Sequence, residues 1–309
     1  MKNTMIVGVT GFFGRALAKE LLSQKVNVYG IGRHYCDMDV IINDPLFNKI
    51  EADISNEADI KNVMAMITKK KIDIIYYFAW DGGFTEAITD YKTQMKNVIC
   101  AGRMAELAVA IECKRFVYAG SYNEFEIQNV IANDLIVPRK TCIYSMAKTT
   151  ADIICKTIAL NNGMEYVAGL VPMPYGEGNK SMQLVNVVIH SLLQGKSPKL
   201  VEGKNLYDIV YIEDIARGFA AIGEKGKNGR RYYLGHRELK TFREWMQALR
   251  DVINPEVELK FGEYKDVQKI DYDCIDLDAL YRDTGWECMA DFNTTMMKTV
   301  EWYKANHAI

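Results

Sequence analysis

The sequence lacks the features that mark nucleic-acid-binding proteins and membrane proteins. Its 38 lysines and arginines are balanced by 40 aspartates and glutamates, which leaves a net charge of −2 and no excess of positive charge for a phosphate backbone. No apolar run approaches the roughly 18 residues that suggest a transmembrane helix. The apolar stretch near the N-terminus is interrupted by glycines and precedes no small-residue cleavage site, which favours a buried strand over a signal peptide. We therefore expect a cytoplasmic protein without nucleic-acid or membrane partners.

Cysteine and histidine form no pattern that would indicate a disulfide framework or a metal site. The seven cysteines are odd in number, contain no C-x-x-C pair and lie mostly in apolar stretches such as "VIC" and "DIICK". The four histidines are scattered without ligand spacing, so we expect no metal centre. The pattern favours reduced cysteines in the core of a cytoplasmic protein.

The sequence does contain a regular alternation of short apolar runs and segments of helical period. Six runs of strand length come in the first half, and they read "MIVGV", "VNVYGIG", "KIEADI", "IDIIYYFAW", "KRFVYAGS" and "EYVAGLV". Strands separated by helices predict parallel β-α-β units with right-handed crossovers, which gives a doubly wound α/β sheet of the Rossmann type. We assign residues 1–170 to this dinucleotide-binding domain. Residues 171–309 are expected to form a smaller, mixed substrate-binding domain that returns some elements to the first.

The helical segments are predicted in both parts of the chain. The first part contains "GRALAKELLSQK", a long helix from about Thr85 to Glu112 and another from about Ser145 to Asn161. In the second part the helical pattern covers residues 181–195, 212–224, 241–253 and 291–304, with short strands such as "KLVEG" and "RYYLG" between them.

A glycine-rich turn, "GVTGFFG", lies between the first strand and the first helix. The spacing G-x-x-G-x-x-G allows a tight turn and lets the backbone approach a pyrophosphate, while the helix N-terminus offers free N–H groups and its positive dipole end. We interpret this stretch as the cradle of a dinucleotide rather than as a plain turn. Its members are Gly8, Gly11, Phe12, Phe13 and Gly14.

The end of the second strand indicates which dinucleotide is bound. NAD sites usually carry an acid there for the ribose 2′-hydroxyl, whereas this sequence reads "VYGIGRH", with Gly32 near that position and Arg33 after it. A guanidinium binds a 2′-phosphate through two hydrogen bonds. The sequence therefore favours NADP(H), with NAD(H) as the alternative.

Three residues are candidates for catalysis. Tyr144 precedes Lys148 by four residues in "CIYSMAK", so the two share one face of a helix. A nearby ammonium is expected to lower the phenol pKa from about 10 and to make Tyr144 a proton donor or acceptor. Ser121 ends a predicted strand at the carboxyl edge of the sheet, where ligands bind, and is expected to donate a hydrogen bond to the substrate.

These motifs resemble those of the extended short-chain dehydrogenase/reductases, the group that contains sugar-nucleotide epimerases, dehydratases and reductases. Further similarity lies in "ADI" at 52–54, "YFAW" at 77–80, "PYGEG" at 174–178 and "YDIVYIEDIARGF" at 207–219, so it covers nearly the whole chain. The resemblance implies an NAD(P)-dependent oxidoreductase that is often a homodimer through two helices, here roughly 91–112 and 145–160. It also implies cofactor contacts from Asp53 (to the adenine amine), Ile54, Phe78, Ala79, Trp80, Asn97, Tyr144, Lys148 (to the nicotinamide ribose) and Val171.

The sequence departs from the dehydratases of that group. In 4,6-dehydratases the catalytic hydroxyl is followed by Asp and Glu, which drive the elimination of water. Here Ser121 is followed by Tyr122 and Asn123, and neither does carboxylate acid/base work. Glu124 lies one residue beyond the position of the second of these acids. We therefore expect no dehydratase.

It departs from the epimerases as well. They usually carry an Asn and an Arg that hold the nucleotide diphosphate, at positions where this sequence has Met173 and Tyr207. Neither a thioether nor an aromatic ring replaces a bidentate guanidinium. The "LYD" and "GSYNEF" stretches look more like those of reductases that act on 4-keto-6-deoxy nucleotide sugars.

We therefore expect NADPH-dependent reduction of a keto group on a nucleotide-activated deoxysugar. The alternatives are a 4-epimerase that retains NAD, a reductase of a non-sugar carbonyl and, from another class, a non-catalytic nucleotide-sensing protein. Aromatic residues are candidates for the sugar pocket, and Phe84 is among them. The expected substrate contacts are Trp80, Ser121, Tyr122, Asn123, Met173, Tyr175 and Tyr207.

Overall fold

A computed structural model describes residues 2–35, 38–83, 85–265 and 270–307. The first half of the chain alternates strands with helices. The strands are β1 (Asn3–Val7), β2 (Asn27–Gly32), β3 (Phe47–Glu51), β4 (Ile74–Tyr77), β5 (Arg115–Ser121) and β6 (Glu165–Val171). The helices are α1 (Phe12–Ser23), α2 (Asp39–Ile42), α3 (Glu57–Ile67), α4 (Tyr91–Ala110), α5 (Glu124–Ala132) and α6 (Cys142–Asn161), with 3-10 turns at Thr68–Lys70 and Glu86–Thr89.

The second half has shorter strands and a less regular order. Its strands are β7 (Met173–Tyr175), β8 (Leu206–Tyr207), β9 (Ile209–Tyr211), β10 (Arg231–Tyr233) and β11 (Lys240–Thr241). Its helices are α7 (Leu184–Leu193), α8 (Ile212–Lys225), α9 (Phe242–Ile253), α10 (Ala279–Thr284) and α11 (Phe292–Asn306), with a 3-10 turn at Tyr272–Cys274.

Seven strands of the described residues form one sheet in the order β10-β6-β5-β4-β1-β2-β3. All of its pairings are parallel, which confirms the expected doubly wound Rossmann sheet. The order reverses between β1 and β4, and this reversal opens a crevice beyond the carboxyl ends of those strands. In the smaller part, β7 pairs with β9 and β8 pairs with β11.

Apolar layers cover both faces of the main sheet. One layer packs α3, α4 and α6 against the sheet, and the other packs α1, α8 and α10 against the opposite face. A separate cluster joins α7, α9 and α11 in the second half. The boundary at 170/171 stays a prediction, and strand β10 from beyond it lies in the main sheet.

The structure differs from the predicted elements at three places. The long helix expected from Thr85 begins only at Tyr91, because the Asp90 side chain caps it by accepting hydrogen bonds from two backbone N–H groups. Helix α5 was not expected. The "KLVEG" stretch makes only a single bridge, between Leu200 and Phe261, rather than a strand.

No helix of the described residues is long and apolar enough to cross a membrane. The same part of the chain contains no group of three His, Cys, Asp or Glu side chains that could hold a metal ion. It contains six cysteines, of which Cys100, Cys113, Cys142 and Cys155 are buried; Cys36 lies outside the described residues.

Candidate active site

The glycine-rich turn forms the first wall of the site. Gly8 has a φ of +86°, and a Cβ there would lie 2.7 Å from the Ala79 nitrogen. A Cβ on Gly14 would overlap the Gly8 carbonyl oxygen, so α1 packs this close to the turn only because both residues are glycines. Helix α1 begins after Gly11 without a side-chain cap. Its first N–H groups therefore suit a phosphate, as a dinucleotide cradle requires.

A cavity of about 180 Å³ extends from this turn along the carboxyl ends of β1, β2 and β4, and we call it the adenosine cavity because of this location. It brings together most of the expected cofactor residues: Gly8, Gly11, Arg33, Asp53, Ile54, Phe78, Ala79, Trp80 and Asn97. It also includes residues that the sequence analysis missed: Thr10, Ser55, Asp81, Lys96 and Cys100. The only sequence signal for Asp81 is that it directly follows "YFAW".

Asp53 is held ionised in the adenosine cavity. One carboxylate oxygen accepts the Ser55 N–H at 2.8 Å. This bond lowers the pKa of Asp53 below its ordinary value, and the charges of Arg33 and Lys96 add to the effect. An ionised carboxylate is a suitable acceptor for an adenine amine.

Arg33 also lies at this cavity, but a carboxylate of the chain already binds its guanidinium. Its Nη2 and Nη1 lie 2.7 and 3.2 Å from the two carboxylate oxygens of Asp81. The arginine is therefore located as expected for a 2′-phosphate, with an internal anion in competition for it.

Six of the expected cofactor residues do not line the adenosine cavity: Phe12, Phe13, Gly14, Val171, and the neighbouring Tyr144 and Lys148. The rings of Phe12 and Phe13 contact each other at 5.4 Å, and Phe13 stacks on Phe78 at 6.3 Å. Val171 is buried in the apolar cluster on that face of the sheet, and Gly14 packs against the glycine turn. The cofactor contacts expected from these residues stay predictions.

Ser121, Tyr144 and Lys148 share one site at the carboxyl edge of β5. The Ser121 side chain interacts with the Tyr144 phenol, and Tyr144 and Lys148 are both buried in α6. The Lys148 ammonium donates to the Ala119 carbonyl at 2.9 Å and lies 3.8 Å from the centre of the Trp80 ring. Trp80 meets Tyr144 edge-on at 6.1 Å. Because Trp80 also lines the adenosine cavity, it connects the candidate cofactor and catalytic residues.

The expected lowering of the Tyr144 pKa is wrong. Burial raises the pKa of Tyr144 and outweighs the opposing effect of the hydrogen bond with Ser121. The ammonium of Lys148 donates to the Ala119 carbonyl instead, and burial lowers the pKa of Lys148 against the attraction of Glu124. Tyr144 is thus a protonated phenol at neutral pH, which suits a proton donor.

Glu124 is directed beneath the sheet rather than into the crevice. It is 1% exposed, and its two oxygens accept the Ser121 N–H at 2.8 Å and pair with Arg231 at 2.6 Å. Arg231 also pairs with Asp152 at 2.8 Å. Asp152 in turn accepts a hydrogen bond from the Tyr166 hydroxyl. Burial and the charge of Asp152 raise the pKa of Glu124, against the attraction of Arg231. The Glu124 carboxylate is thus buried and held by partners within the chain.

Tyr175 does not line a sugar pocket, contrary to expectation. It is 2% exposed, and its hydroxyl is hydrogen-bonded to that of Thr295 at 2.7 Å. Its ring packs against Tyr211 and Phe292, so both the ring and the hydroxyl have core partners. Phe84 lies outside the described residues.

Tyr122 and Tyr207 form a buried pair instead of presenting two separate hydroxyls. Their hydroxyl oxygens lie 3.4 Å apart and their rings meet edge-on at 6.3 Å. Where an arginine would hold a diphosphate, the chain therefore has an aromatic wall. Met173 is partly buried beside the cluster of the second half, and Asn123 donates its backbone N–H to the Ser121 hydroxyl at 3.2 Å.

The glycine turn, the cavity beside it and the tyrosine–lysine pair occur together in one known family. The NAD dependent epimerase/dehydratase family matches residues 4–235. The chain belongs to this family. Membership confirms the resemblance to the extended short-chain dehydrogenase/reductases.

Relatives within this family carry out several reactions. The dTDP-glucose 4,6-dehydratase of Escherichia coli is 28% identical over 173 residues, a match that covers 53% of this chain and 47% of that protein. The trifunctional UDP-glucose 4,6-dehydratase/UDP-4-keto-6-deoxy-D-glucose 3,5-epimerase/UDP-4-keto-L-rhamnose-reductase of Arabidopsis thaliana is 24% identical over 327 residues, covering 99% of this chain and 47% of that one. Each match thus spans about half the length of the relative. The structure of UDP-glucose 4-epimerase from Thermotoga maritima superposes with a TM-score of 0.79 at 17% identity, over 98% of this chain and 99% of that chain, which shows the shared fold.

Replacing Arg231 by Met should destabilise the protein by about 3–5 kcal/mol, because it leaves two buried carboxylates without their cation. Glu124, whose pKa burial already raises, would bind a proton in the folded state that it releases when unfolded. The stability of the variant should therefore fall more steeply than that of the unchanged protein as pH rises from about 4 to 7. Urea unfolding at several pH values measures both effects.

Arg237→Met is the matched control, since Arg237 pairs with Asp278 at the surface, where the two side chains are 40% and 52% exposed. It should change the urea midpoint far less. Equal losses for the two variants, or no pH dependence, would contradict a buried charge network.

Proposed function

We propose that this protein catalyses the NADPH-dependent reduction of a keto group on a nucleotide-activated 4-keto-6-deoxy sugar. One observation carries the proposal: the crevice has a protonated phenol, Tyr144, beside Ser121 and Lys148, whereas the nearby carboxylate of Glu124 is paired beneath the sheet. Reduction of a ketone needs a single proton donor. Elimination of water, as in the 4,6-dehydratases, uses further carboxylates.

The substrate class is supported by similarity to known enzymes. The family acts on nucleotide sugars, and the Arabidopsis relative has a UDP-4-keto-L-rhamnose reductase among its named activities. The "GSYNEF" and "LYD" stretches of this chain resemble those of reductases for 4-keto-6-deoxy nucleotide sugars.

The residues of the adenosine cavity fit a nicotinamide dinucleotide. When bound in its reduced form, that group supplies a hydride to the carbonyl carbon. The turn at Gly8–Gly14 would hold its pyrophosphate. Side chains do not fit at Gly8 and Gly14, so the backbone can approach the phosphates, and the N-terminus of α1 offers its free N–H groups. Asp53 and Asn97 would flank the adenosine. Arg33 favours NADP(H), with NAD(H) as the alternative.

Three residues of the chain would supply and stabilise the proton transfer to the carbonyl oxygen of the substrate. Tyr144 donates its proton to the developing alkoxide, while Ser121 donates a hydrogen bond to the same oxygen. Lys148 bonds the nicotinamide ribose and favours the phenolate that remains on Tyr144, because an ammonium stabilises a nearby negative charge. Fixed donors in a water-excluded site stabilise this charge more strongly than water does.

Two other activities retain specific support. A 4-epimerase that keeps NAD bound would use the same Tyr144, Lys148 and Ser121, and the shared fold with UDP-glucose 4-epimerase is consistent with it. A reductase of a non-sugar carbonyl is favoured by the aromatic pair Tyr122 and Tyr207, which replaces a diphosphate-binding guanidinium. A non-catalytic nucleotide-sensing protein would not need both Tyr144 and Lys148.

We also propose a cytoplasmic homodimer formed through α4 and α6. These helices pack on each other, and together they leave six large apolar side chains exposed: Tyr91, Met95, Ile99, Met146, Ile153 and Leu160. Two such faces related by a twofold axis would bury each other in a four-helix contact. The odd number of cysteines and the absence of a C-x-x-C pair suit a reducing compartment.

The reaction is tested by incubating the protein with NADPH and a panel of 4-keto-6-deoxy sugars on different nucleotides. NADPH absorbance should fall only with a 4-keto compound present. Interconversion of 4-hydroxy sugars by protein with bound NAD, without net consumption of NADPH, would identify the epimerase instead.

Tyr144→Phe should lower kcat by about 10²- to 10⁴-fold because the proton donor is lost, while the Kd for NADPH changes little. The control is Tyr175→Phe, which removes a phenol in the core and should retain turnover. Full turnover by the Tyr144 variant would remove that residue from its assigned role.

Aspartate at Ile99 or Ile153 should convert the dimer into a monomer, since a charge would be buried at the contact. Sedimentation measures the mass of each variant. Ile131→Asp, at a site on α5 that is 70% exposed, should leave the dimer intact. A monomeric unchanged protein would contradict the proposed assembly.

A further inference from the structure

Arg33 and Asp81 form a two-point ion pair at the adenosine cavity. Arg33 follows β2 and Asp81 follows β4, and both line the cavity. The two guanidinium nitrogens lie 2.7 and 3.2 Å from the two carboxylate oxygens. Because the side chains are 54% and 45% exposed, water screens the pair and it is weakly held. A stronger anion entering the cavity can therefore replace Asp81 on Arg33.

Asp81 is fixed in this position through its backbone. The Asn97 side chain accepts the Asp81 N–H at 2.9 Å and donates to the Asp81 carbonyl at 2.8 Å. Asn97 is buried in α4, so it anchors this loop residue to a long helix. The carboxylate of Asp81 consequently stays within reach of Arg33 and can move only by side-chain rotation.

The usual acid of an NAD site is absent here for a packing reason. A Cβ at Gly32, the last residue of β2, would lie 2.5 Å from the Thr10 methyl carbon, so a side chain there would require Thr10 to move. Among the described lining residues the acids are Asp53 and Asp81, and Asp53 is engaged by the Ser55 N–H. The lining cations are Arg33 and Lys96.

We propose that Asp81 determines cofactor specificity by competing with the 2′-phosphate of NADPH for Arg33. With an unphosphorylated ribose, Arg33 keeps its bonds to Asp81 and no cation is left unpaired. With a 2′-phosphate, Arg33 exchanges the carboxylate for the phosphate, and Asp81 becomes a nearby charge of the same sign as the ligand. The protein therefore binds both dinucleotides, and its preference for NADPH over NADH is smaller than it would be if Asp81 did not compete for Arg33. The inference rests on the dinucleotide site of the proposed function and specifies how that site selects its cofactor.

Equilibrium titrations with NADPH and NADH test this competition, and 2′,5′-ADP and ADP serve as probes without the nicotinamide. Asp81→Asn should tighten NADPH and 2′,5′-ADP by about tenfold while NADH and ADP change by less than about twofold, because a charge-assisted competitor is removed. Arg33→Met should weaken NADPH and 2′,5′-ADP by at least about tenfold and leave NADH nearly unchanged. In the double variant, the gain from Asp81→Asn should disappear, since it acts through Arg33.

The matched control is Glu57→Gln, which removes the same charge from a surface acid that pairs with Arg103 at 2.9 Å and is 72% exposed. It should leave the ratio of NADPH to NADH affinity unchanged. An equal shift in this control, or a gain that persists in the double variant, would attribute the effect to general electrostatics and overturn the inference. An unchanged ratio in a folded Asp81→Asn protein that binds both dinucleotides overturns it too and leaves the proposed function standing. Failure of the unchanged protein to bind any dinucleotide overturns both.

Discussion

Exclusion of water from the carboxyl edge of β5 determines the chemistry of this site. Burial keeps the proton on Tyr144 and weakens the hold of Lys148 on its own proton. It also means that an unpaired carboxylate would destabilise the fold. Glu124 and Asp152 are tolerated there because Arg231 pairs with both. At the protein surface the same side chains would titrate near their ordinary values and need no partners. The protonated state of Tyr144 thus depends on packing as much as on the tyrosine–lysine spacing.

Arg231, the cation that pairs with Glu124 and Asp152, comes from the part of the chain beyond the predicted domain boundary. Arg231 lies in β10, the edge strand that pairs with β6, and it reaches back under β5 to Glu124. The second half of the chain therefore completes the charge balance beneath the catalytic edge. The Glu124 carboxylate is tied to Arg231, and under the proposed function it is therefore not the acid or base of the reaction. One fold hosts several reactions, and the choice among them depends on where such a carboxylate is directed.

Local sequence patterns were enough to predict the sheet, the glycine turn and the shared site of Ser121 with the tyrosine–lysine pair, because strand ends of a parallel sheet meet at one edge. Interactions between distant residues were not predictable in this way. Helix α5 was missed because its first-turn acids look exposed in the sequence, whereas they are buried in pairs with Arg139 and Arg231. The partner of Tyr175 lies 120 residues away, and that of Arg33 lies 48 residues away. No periodicity or motif spacing carries such information.

The charged groups at the two ends of the crevice, near Lys148 and near Arg33, differ in burial and in how firmly they are held. At the proposed catalytic end the charged groups are buried and paired, so they hold one geometry for the neighbouring hydroxyls. At the adenosine end Arg33 and Asp81 are half-exposed, and their pairing can be exchanged at little cost. Rapid exchange suits a group that must release its cofactor after each turnover, whereas a fixed donor suits the transfer of a proton. A reductase needs both properties in one crevice, since its oxidised cofactor has to leave, whereas an enzyme that retains its cofactor would gain nothing from a weak pair at the adenosine end.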